Sequence, residues 1–259
     1  MSINHLSHSS INTFISCPHK WYLHYIERIS RPVAYWLFSG SCIHNALAYN
    51  YEQKVTSRKN LPEEEVIQKF VDTFAAMDPN RGRPEHSSGA LASGIEFYSM
   101  SPGLVKDINI EVLKVYQRTL APITQPVVSE FSWSREVAGV KLVGRVDLID
   151  DKSRIVDFKV SKRRPKQDSW HRDRQPTFYA IGMGGPIKFQ FQYLLNLATP
   201  TVQCYLTERT TEDINHMTNE VLPPIVRSIE AGIFPYADEG SWLCSKRYCD
   251  YWNFCRGRK

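Results

Sequence analysis

Two acidic residues and a lysine lie close together near the middle of the chain. Asp147 ends the segment VGRVD, and Asp157 and Lys159 lie in the segment VDFKV. Both segments are rich in β-branched residues, so we expect two consecutive strands joined by a hairpin. Side chains alternate along a strand, which places Asp157 and Lys159 on one side and Phe158 in the core. A hairpin register then brings Asp147 opposite Asp157.

This grouping suits a hard divalent cation. Carboxylate oxygens are the ligands that Mg²⁺ and Mn²⁺ prefer, and two of them leave positions open for water and for a phosphate oxygen. Such a metal lowers the pKa of the attacking water and stabilises the negative charge that develops during phosphodiester hydrolysis. Lys159 would hold or activate the water, or stabilise that charge. The alternative is an ion pair on a strand surface between Asp157 and Lys159, with Asp147 as an ordinary hairpin residue.

A second group with metal-binding chemistry lies at the two ends of the chain. It consists of four cysteines, Cys17, Cys244, Cys249 and Cys255. Four thiolates suit either a [4Fe-4S] cluster or a tetrahedral zinc ion, provided that the chain ends meet in the fold. The cysteines lack the paired C-x-x-C motifs that are usual in zinc sites, and the aromatic residues between them would shield a cluster from solvent. Buried thiols without a ligand are the third alternative. Cys42 and Cys204 are expected to pack as small apolar residues.

Composition and charge narrow the class of protein. The 259 residues are 42% hydrophobic and 23% charged, which is ordinary for a globular protein, and no apolar run reaches the roughly 18 residues that span a bilayer. The first residues lack the features of a signal peptide, so we expect a cytoplasmic protein without a membrane partner. In that compartment cysteines are reduced, which favours metal ligation over disulfides.

The net charge of +5 is modest, but basic residues are concentrated just after Lys159. They are Lys162, Arg163, Arg164, Lys166, Arg172 and Arg174. Their position beside a carboxylate pair predicts contacts to nucleic-acid phosphates. The alternative is a solvated charged surface.

The periodicity predicts how these residues are positioned. A serine among Ser7, Ser9 and Ser10 should cap a first helix, and Pro18 should break or kink it. Residues 38–120 are mostly of helical type, and His44 should lie on one of these helices. After Pro126 the pattern predicts three antiparallel strands, a helix, two further strands and a long helix interrupted at its prolines.

We therefore expect one α/β domain over residues 1–259, with three parts. These parts are a helical subdomain at 38–125, a catalytic sheet core at 126–208, and a cysteine clamp formed by 240–259 with Cys17.

Several segments resemble motifs of one known family. Residues Gly144–Asp147 followed by Asp157–Lys159 resemble the G-x-x-D…D-x-K signature of the PD-(D/E)xK nuclease superfamily, in particular its RecB-type branch. Gly40–His44 is similar to the upstream G-x-x-x-H motif, and Gln175–Tyr179 to the Q-x-x-x-Y helix. The segment SCPHKWYLHY resembles the N-terminal cysteine motif of that branch.

The resemblance implies a restriction-endonuclease-like core, with a central mixed β-sheet flanked by helices. It also implies a set of metal ligands, namely His44, Asp147, Asp157 and the carbonyl group of Phe158. Gln175 and Tyr179 lie one helical turn apart and would position the substrate or steady Lys159. Glu130 would add a carboxylate at the edge of the site, or is an exposed strand residue.

The cysteines are similar to those of the iron-sulfur subgroup of RecB-type nucleases. One departure is the spacing of Cys244 and Cys249, with four intervening residues where two are usual. The resemblance implies a Mg²⁺- or Mn²⁺-dependent DNA exonuclease or end-processing enzyme, acting on single strands or free ends. Its partner would be a helicase, a recombinase or a CRISPR-adaptation protein. The alternatives are a DNA-end-binding module without catalysis, and an RNA-directed or endonucleolytic enzyme.

Overall fold

The structure is a computed structural model, and it describes residues 4–31, 33–76, 95–96, 100–246 and 248–255. Its helices are α1 (His8–Ser16), α2 (Pro18–Tyr25), α3 (Tyr35–Ser57), α4 (Glu63–Ala76), α5 (Pro102–Thr119), α6 (Arg174–Met183), α7 (Thr211–His216) and α8 (Leu222–Glu230). The Ser7 hydroxyl caps α1 by accepting from the Ser10 N–H, and Pro18 begins α2, which confirms the predicted break. A π-helical turn, Met217–Val221, joins α7 to α8 just before the prolines.

The strands form two sheets. Strands β1 (Val33–Ala34) and β2 (Ile95–Glu96) make a short parallel pair. The main sheet contains β3 (Pro126–Val137), β4 (Val140–Asp150), β5 (Arg154–Ser161), β6 (Ile187–Leu195) and β7 (Thr201–Arg209), in that order. All neighbours are antiparallel except β5 and β6, which α6 connects as a parallel crossover. The prediction of a mixed α/β fold with a central mixed sheet flanked by helices is confirmed.

Each face of the main sheet packs a separate hydrophobic core. On one face the core includes side chains of α1, α2, α6 and α8, such as Phe14 and Phe178. On the other face, side chains of α3, α4 and α5 surround Phe158. Alternation along β5 explains why Phe158 is buried with α3 whereas Asp157 and Lys159 face α6.

Two tight turns set the register of the central strands. Ala138 and Gly139 both have positive φ, 52° and 77°, as a two-residue hairpin turn requires. At the next turn, the buried Asp150 carboxylate accepts from the Lys152 and Arg154 N–H groups and pairs with the Arg154 guanidinium at 2.6 Å. This turn aligns Leu148 with Val156, so the same register continued places Asp147 opposite Asp157.

The ladder between β3 and β4 is interrupted next to the expected site. Pairing runs through Ser129–Leu148 and Phe131–Val146 and skips the residues between them, Glu130 and Asp147. Glu130 has φ of 54°, a left-handed conformation that is rare for this residue type. Val146 packs in the α6-side core and Leu148 in the α3-side core, so β4 turns over at Asp147. This break directs Asp147 towards α3.

Beside this break, the indole of Trp133 lies between two glycines. A Cβ atom at Gly144 would come within 2.6 Å of the indole, and one at Gly182 on α6 would also collide with it. Gly144 therefore allows β4 and α6 to approach each other around Trp133. The glycine of the G-x-x-D segment thus has a packing role.

The cysteines outside the terminal group behave differently from each other. Cys42 is fully buried in the α3-side core, as predicted. The prediction for Cys204 is wrong: it is exposed, because it lies with Leu206 on the solvent side of the edge strand β7. The segment DPNRGRPEHSSG, whose glycines and prolines predict a loop, lies outside the described residues. Among the helices that the structure describes, none is long and apolar enough to cross a bilayer.

Replacing Gly144 with alanine should destabilise the fold through Trp133. Overpacking of this kind costs about 1–3 kcal/mol of unfolding free energy, measured by urea denaturation. The same replacement in a Trp133→Leu background should cost clearly less, because the smaller side chain leaves room for the methyl group. Gly103→Ala is the control, since, apart from the backbone of its own helix, none of the described residues has a heavy atom within 4 Å of the position that its methyl group would occupy. An equal cost in both backgrounds would contradict the packing role.

Candidate active site

A cavity of about 440 Å³ lies beside α3, where the pairing of β4 with β5 stops. Its lining includes all eight residues that the sequence singled out for metal binding, catalysis or the site edge: His44, Glu130, Asp147, Asp157, Phe158, Lys159, Gln175 and Tyr179. They come from one helix of the α3 side, three strands and α6. The structure thus brings together side chains that are up to 135 positions apart, from His44 to Tyr179.

Asp157 forms the centre of a buried polar cluster. It is 3% exposed, and its Oδ2 lies 2.8 Å from the Lys159 ammonium group. The Gln175 amide donates to Asp157 Oδ1 at 2.5 Å, and its carbonyl oxygen accepts from Lys159 at 2.5 Å. Gln175 therefore contacts the carboxylate and the ammonium group together.

Asp147 is held by a different set of partners. Its Oδ1 lies 3.3 Å from His44 Nδ1 on α3, and its Oδ2 accepts from the Phe158 N–H at 3.0 Å. Because backbone pairing of β4 with β5 stops at Leu148, the side chain takes the place of the missing strand contact. The carboxylate is thus fixed between α3 and β5.

The electrostatics of the cluster follow from burial and from these pairs. Burial raises the pKa of Asp157, and the nearby negative charge of Asp147 raises it further, against the opposing effect of Lys159. Burial alone would lower the pKa of Lys159, but the charge of Asp157 outweighs it and the pKa is raised. Lys159 is therefore protonated at neutral pH and acts as a donor of hydrogen bonds and positive charge.

His44 and Asp147 form a similar couple. Burial alone would lower the pKa of His44, but its hydrogen bond to Asp147 and the charge of that carboxylate raise it overall. Burial alone would raise the pKa of Asp147, but the hydrogen bond and charge of His44 lower it overall. The two carboxylates of the site thus differ, since Asp147 favours the ionised form and Asp157 resists it.

Tyr179 and the Glu130–Arg145 pair form the remaining polar wall. The Tyr179 hydroxyl donates to the Arg145 carbonyl at 2.8 Å, and burial raises its pKa, so it stays protonated. The Arg145 guanidinium pairs with the Glu130 carboxylate at 2.9 Å. Burial raises the pKa of Glu130. The left-handed backbone at Glu130 directs its carboxylate into the same cavity as Asp147.

The donor types present fit a divalent cation. Asp157 Oδ2 is buried and, despite its short distance to Lys159, has no well-aligned hydrogen bond. Within the described ranges, however, no group of three or more His, Cys, Asp or Glu side chains is gathered closely enough to hold a metal ion. The carboxylates are paired with His44 and Lys159 instead, so a cation would have to compete with those contacts.

Comparison with known proteins decides the family. The sequence model of the PD-(D/E)XK nuclease superfamily matches residues 5–256. This chain belongs to that superfamily. No curated protein matches it. Nucleases hydrolyse phosphodiester bonds, and the cavity around Asp147 and Asp157 contains the residues that resemble the superfamily signature.

Two solved structures are similar to the chain. One is described as "Putative exonuclease" from Eubacterium rectale, with a TM-score of 0.59 and 15% identity over 93% of this chain and 87% of that chain. This likeness supports the fold. The other, SSO0001, gives a TM-score of 0.46 and 11% identity over 100% of this chain and 89% of that chain, too low to support an argument.

Other predicted residues lie outside the nuclease cavity. The six basic residues after Lys159 are all exposed, and none of them lines it. Lys162 lines a small neighbouring cavity instead, where it donates to the Tyr35 hydroxyl. The predicted DNA contacts of this segment therefore stay a prediction.

The four terminal cysteines lie in the same region, but among the residues that the structure describes no three of them are gathered closely enough to hold a metal ion. Cys17, Cys244, Cys249 and Cys255 line one cavity of about 220 Å³. Burial raises the pKa of Cys249, and the thiols of Cys17 and Cys255 are close enough to raise it further. The buried Tyr251, whose hydroxyl lies 2.6 Å from His24 Nδ1, also ties this end to α2.

Sequence reasoning missed several residues of the nuclease cavity, including Trp36, Ser41 and Arg145. Trp36 lies four residues before Gly40, which lies four residues before His44, so the helical spacing contained a usable signal. Arg145 lies within the G-x-x-D segment, but nothing in the sequence indicated its pairing with Glu130.

Replacing Gln175 with alanine should lower kcat by about 10- to 100-fold, because Asp157 and Lys159 lose the group that orients both of them. DNA affinity should change little, since the amide is buried. The measurement is single-turnover cleavage together with fluorescence anisotropy. Gln167→Ala, at an exposed glutamine before α6, is the matched control. Unchanged kcat in the Gln175 variant would contradict the orienting role.

Proposed function

We propose that this protein is a Mg²⁺- or Mn²⁺-dependent deoxyribonuclease that acts on DNA ends, as an exonuclease or an end-processing enzyme. The observation that carries the proposal is the convergence of Asp147, Asp157 and Lys159 in one cavity of a PD-(D/E)XK chain. The superfamily supplies the reaction class, and the cavity supplies the chemical groups that this reaction needs.

The proposed cation would be held by Asp147 and Asp157, with His44 and the Phe158 carbonyl group as further ligands. When bound, it would lower the pKa of a coordinated water and offset negative charge on the phosphate. The buried Asp157 oxygen without a well-aligned hydrogen bond supports this assignment.

The protein side chains divide the remaining tasks. Protonated Lys159 is a donor rather than a base, so it would orient the attacking water or stabilise charge on the phosphate. Gln175 keeps that ammonium group and the Asp157 carboxylate in fixed relation. Tyr179 steadies Gln175 through a contact of 3.2 Å and holds the β4 backbone at Arg145.

Asp157→Asn and Lys159→Ala should each lower cleavage of end-labelled DNA by on the order of 10²- to 10³-fold or more, with DNA binding retained. Asp157→Asn removes a metal-binding charge, and Lys159→Ala removes a donor to developing charge. A chelator should abolish wild-type cleavage, and Mg²⁺ or Mn²⁺ should restore it. The control is Asp151→Asn, at an exposed carboxylate in the adjacent turn.

Linear and closed circular DNA, each single- and double-stranded, distinguish the modes of cleavage. An end-dependent enzyme leaves closed circles intact, whereas an endonuclease cuts them. Cleavage that survives in the Asp157 variant would contradict the proposed site.

One observation favours a second candidate, a DNA-end-binding module without catalysis. His44 and Lys159 already neutralise the two carboxylates, so the folded protein does not depend on a metal for charge balance. Under this alternative the wild type binds DNA ends and cleaves none, with either metal ion. The biological partner would be a helicase, a recombinase or a CRISPR-adaptation protein, as proposed from the sequence.

The four terminal cysteines are proposed to hold a [4Fe-4S] cluster, with zinc as the alternative. All four are free thiols on one cavity, which fits either group by donor type. The group would join α2 to the C-terminal segment.

Protein purified without oxygen should contain about four iron atoms and four sulfides per chain, the composition of this cluster type. Cys249→Ser should lose them and should unfold at a lower temperature, because metal binding stabilises the folded state. Cys204→Ser, at an exposed thiol outside the cavity lining, should retain them. One zinc per chain would select the alternative, and the absence of any metal would contradict both.

A further inference from the structure

One face of α3 forms a track that leads out of the nuclease cavity. Trp36, Gly40 and His44 are spaced four residues apart and all line the cavity. Residues with this spacing lie above one another on a helix. With a rise of about 1.5 Å per residue, Trp36 lies roughly 12 Å along the axis from His44. We call these three residues the α3 track.

Large apolar side chains are exposed at the outer end of the track. Trp36 is 50% exposed and Leu37 is 53% exposed, although burying large apolar side chains stabilises a fold. They border a cavity whose other walls carry carboxylates and cations. An exposed indole at the mouth of a charged site offers a flat apolar surface to a ligand.

The indole ring of Trp36 contacts a buried aromatic neighbour. The Tyr35 ring lies 5.2 Å from the Trp36 ring at an interplanar angle of 80°, and Tyr35 is itself buried. Lys162 donates to the Tyr35 hydroxyl at 2.5 Å and lies 5.0 Å from the centre of its ring. Trp36 therefore stands between the nuclease cavity and the first residue of the basic segment.

At Gly40, the middle of the track has no side chain. Outside the backbone of α3 itself, no heavy atom of the described residues lies within 4 Å of the position that a Cβ atom would occupy there, so packing in that part of the chain does not require glycine. Glycine inside a helix destabilises it relative to alanine, because glycine loses more conformational freedom on folding. The helix backbone between His44 and Trp36 therefore has open space above it, in spite of the cost of glycine. That space suits the close approach of a ligand.

We propose that Trp36 stacks on an unpaired base of the strand being cut, while the sugar-phosphate backbone passes over Gly40. Exposed aromatic rings and nearby cations are how proteins bind single-stranded DNA without reading its sequence. Bases within a duplex stack on each other and do not present a free face to a side chain. The substrate at this site is therefore a single-stranded or frayed DNA end, and this inference rests on the proposed function.

The stacked base lies within a few nucleotides of the scissile phosphate. Successive phosphates of a B-form strand are about 3.4 Å apart along the axis, so roughly 12 Å corresponds to three or four nucleotides, and fewer in a stretched strand.

Binding of single-stranded DNA tests the inference without requiring cleavage. In the presence of a chelator, Trp36→Ala should weaken the binding of a fluorescent single-stranded oligonucleotide by about 5- to 150-fold, the range for loss of one stacked base. Trp36→Phe should retain most of the affinity. Tyr49→Ala removes an exposed aromatic residue of the same helix outside the cavity, and should bind like the wild type. Wild-type affinity in Trp36→Ala would overturn the proposal.

A scan with abasic sites identifies the stacked base. For the wild type, one abasic position near the DNA end should weaken binding more than its neighbours do. In Trp36→Ala the same position should have no additional effect, because the stacking partner is already absent. Equal losses in both proteins at every position would contradict stacking by Trp36.

Gly40→Ala separates stability from binding. It should raise the melting temperature, since alanine is the better helix former, and should weaken single-stranded DNA binding. Unchanged binding would contradict the proposed passage of the DNA backbone over Gly40. Because these assays use no metal, a protein that binds as described but never cleaves would contradict the nuclease proposal and leave this inference standing.

Discussion

The candidate site depends on the burial of the Asp157 carboxylate beside a second carboxylate. Two like charges in a desolvated cavity repel each other, so the fold must supply positive charge or a proton. It supplies Lys159 to Asp157 and His44 to Asp147, and it links the first pair through Gln175. A divalent cation would satisfy the same constraint. It would take the place of Lys159 and His44 as the positive charge beside the two carboxylates.

The backbone around β4 is shaped to meet that constraint. If β3 and β4 paired regularly, the Asp147 side chain would lie on the face of the sheet that strand alternation assigns to it. The left-handed conformation of Glu130 and the skipped pair opposite it let β4 turn over, so that Asp147 reaches α3. Uncommon backbone conformations of this kind persist where surrounding packing over-determines them. Further along the same strands, Trp133 packs between β4 and α6, where Gly144 and Gly182 leave room for its indole.

Strand alternation was enough to predict part of this arrangement. The period of two correctly placed Asp157 and Lys159 on one side of β5 with Phe158 in the core, and the hairpin length placed Asp147 opposite Asp157. The left-handed residue was not predictable, because glutamate carries no turn signal and its conformation is imposed by neighbouring strands. The position of Trp36 was also missed, since an aromatic residue at the start of a helix usually indicates core. Cys204 was misplaced because an alternating pattern does not say which strand lies at the edge.

The most direct test of a shared cation is to locate Mn²⁺ by anomalous diffraction from crystals of the wild-type protein. We predict one strong peak bounded by the carboxylates of Asp147 and Asp157, with His44 beside it and Lys159 displaced from Asp157 Oδ2. Saturating Mn²⁺ that leaves this position empty, or that binds one carboxylate without the other, would contradict a shared cation and with it the proposed chemistry.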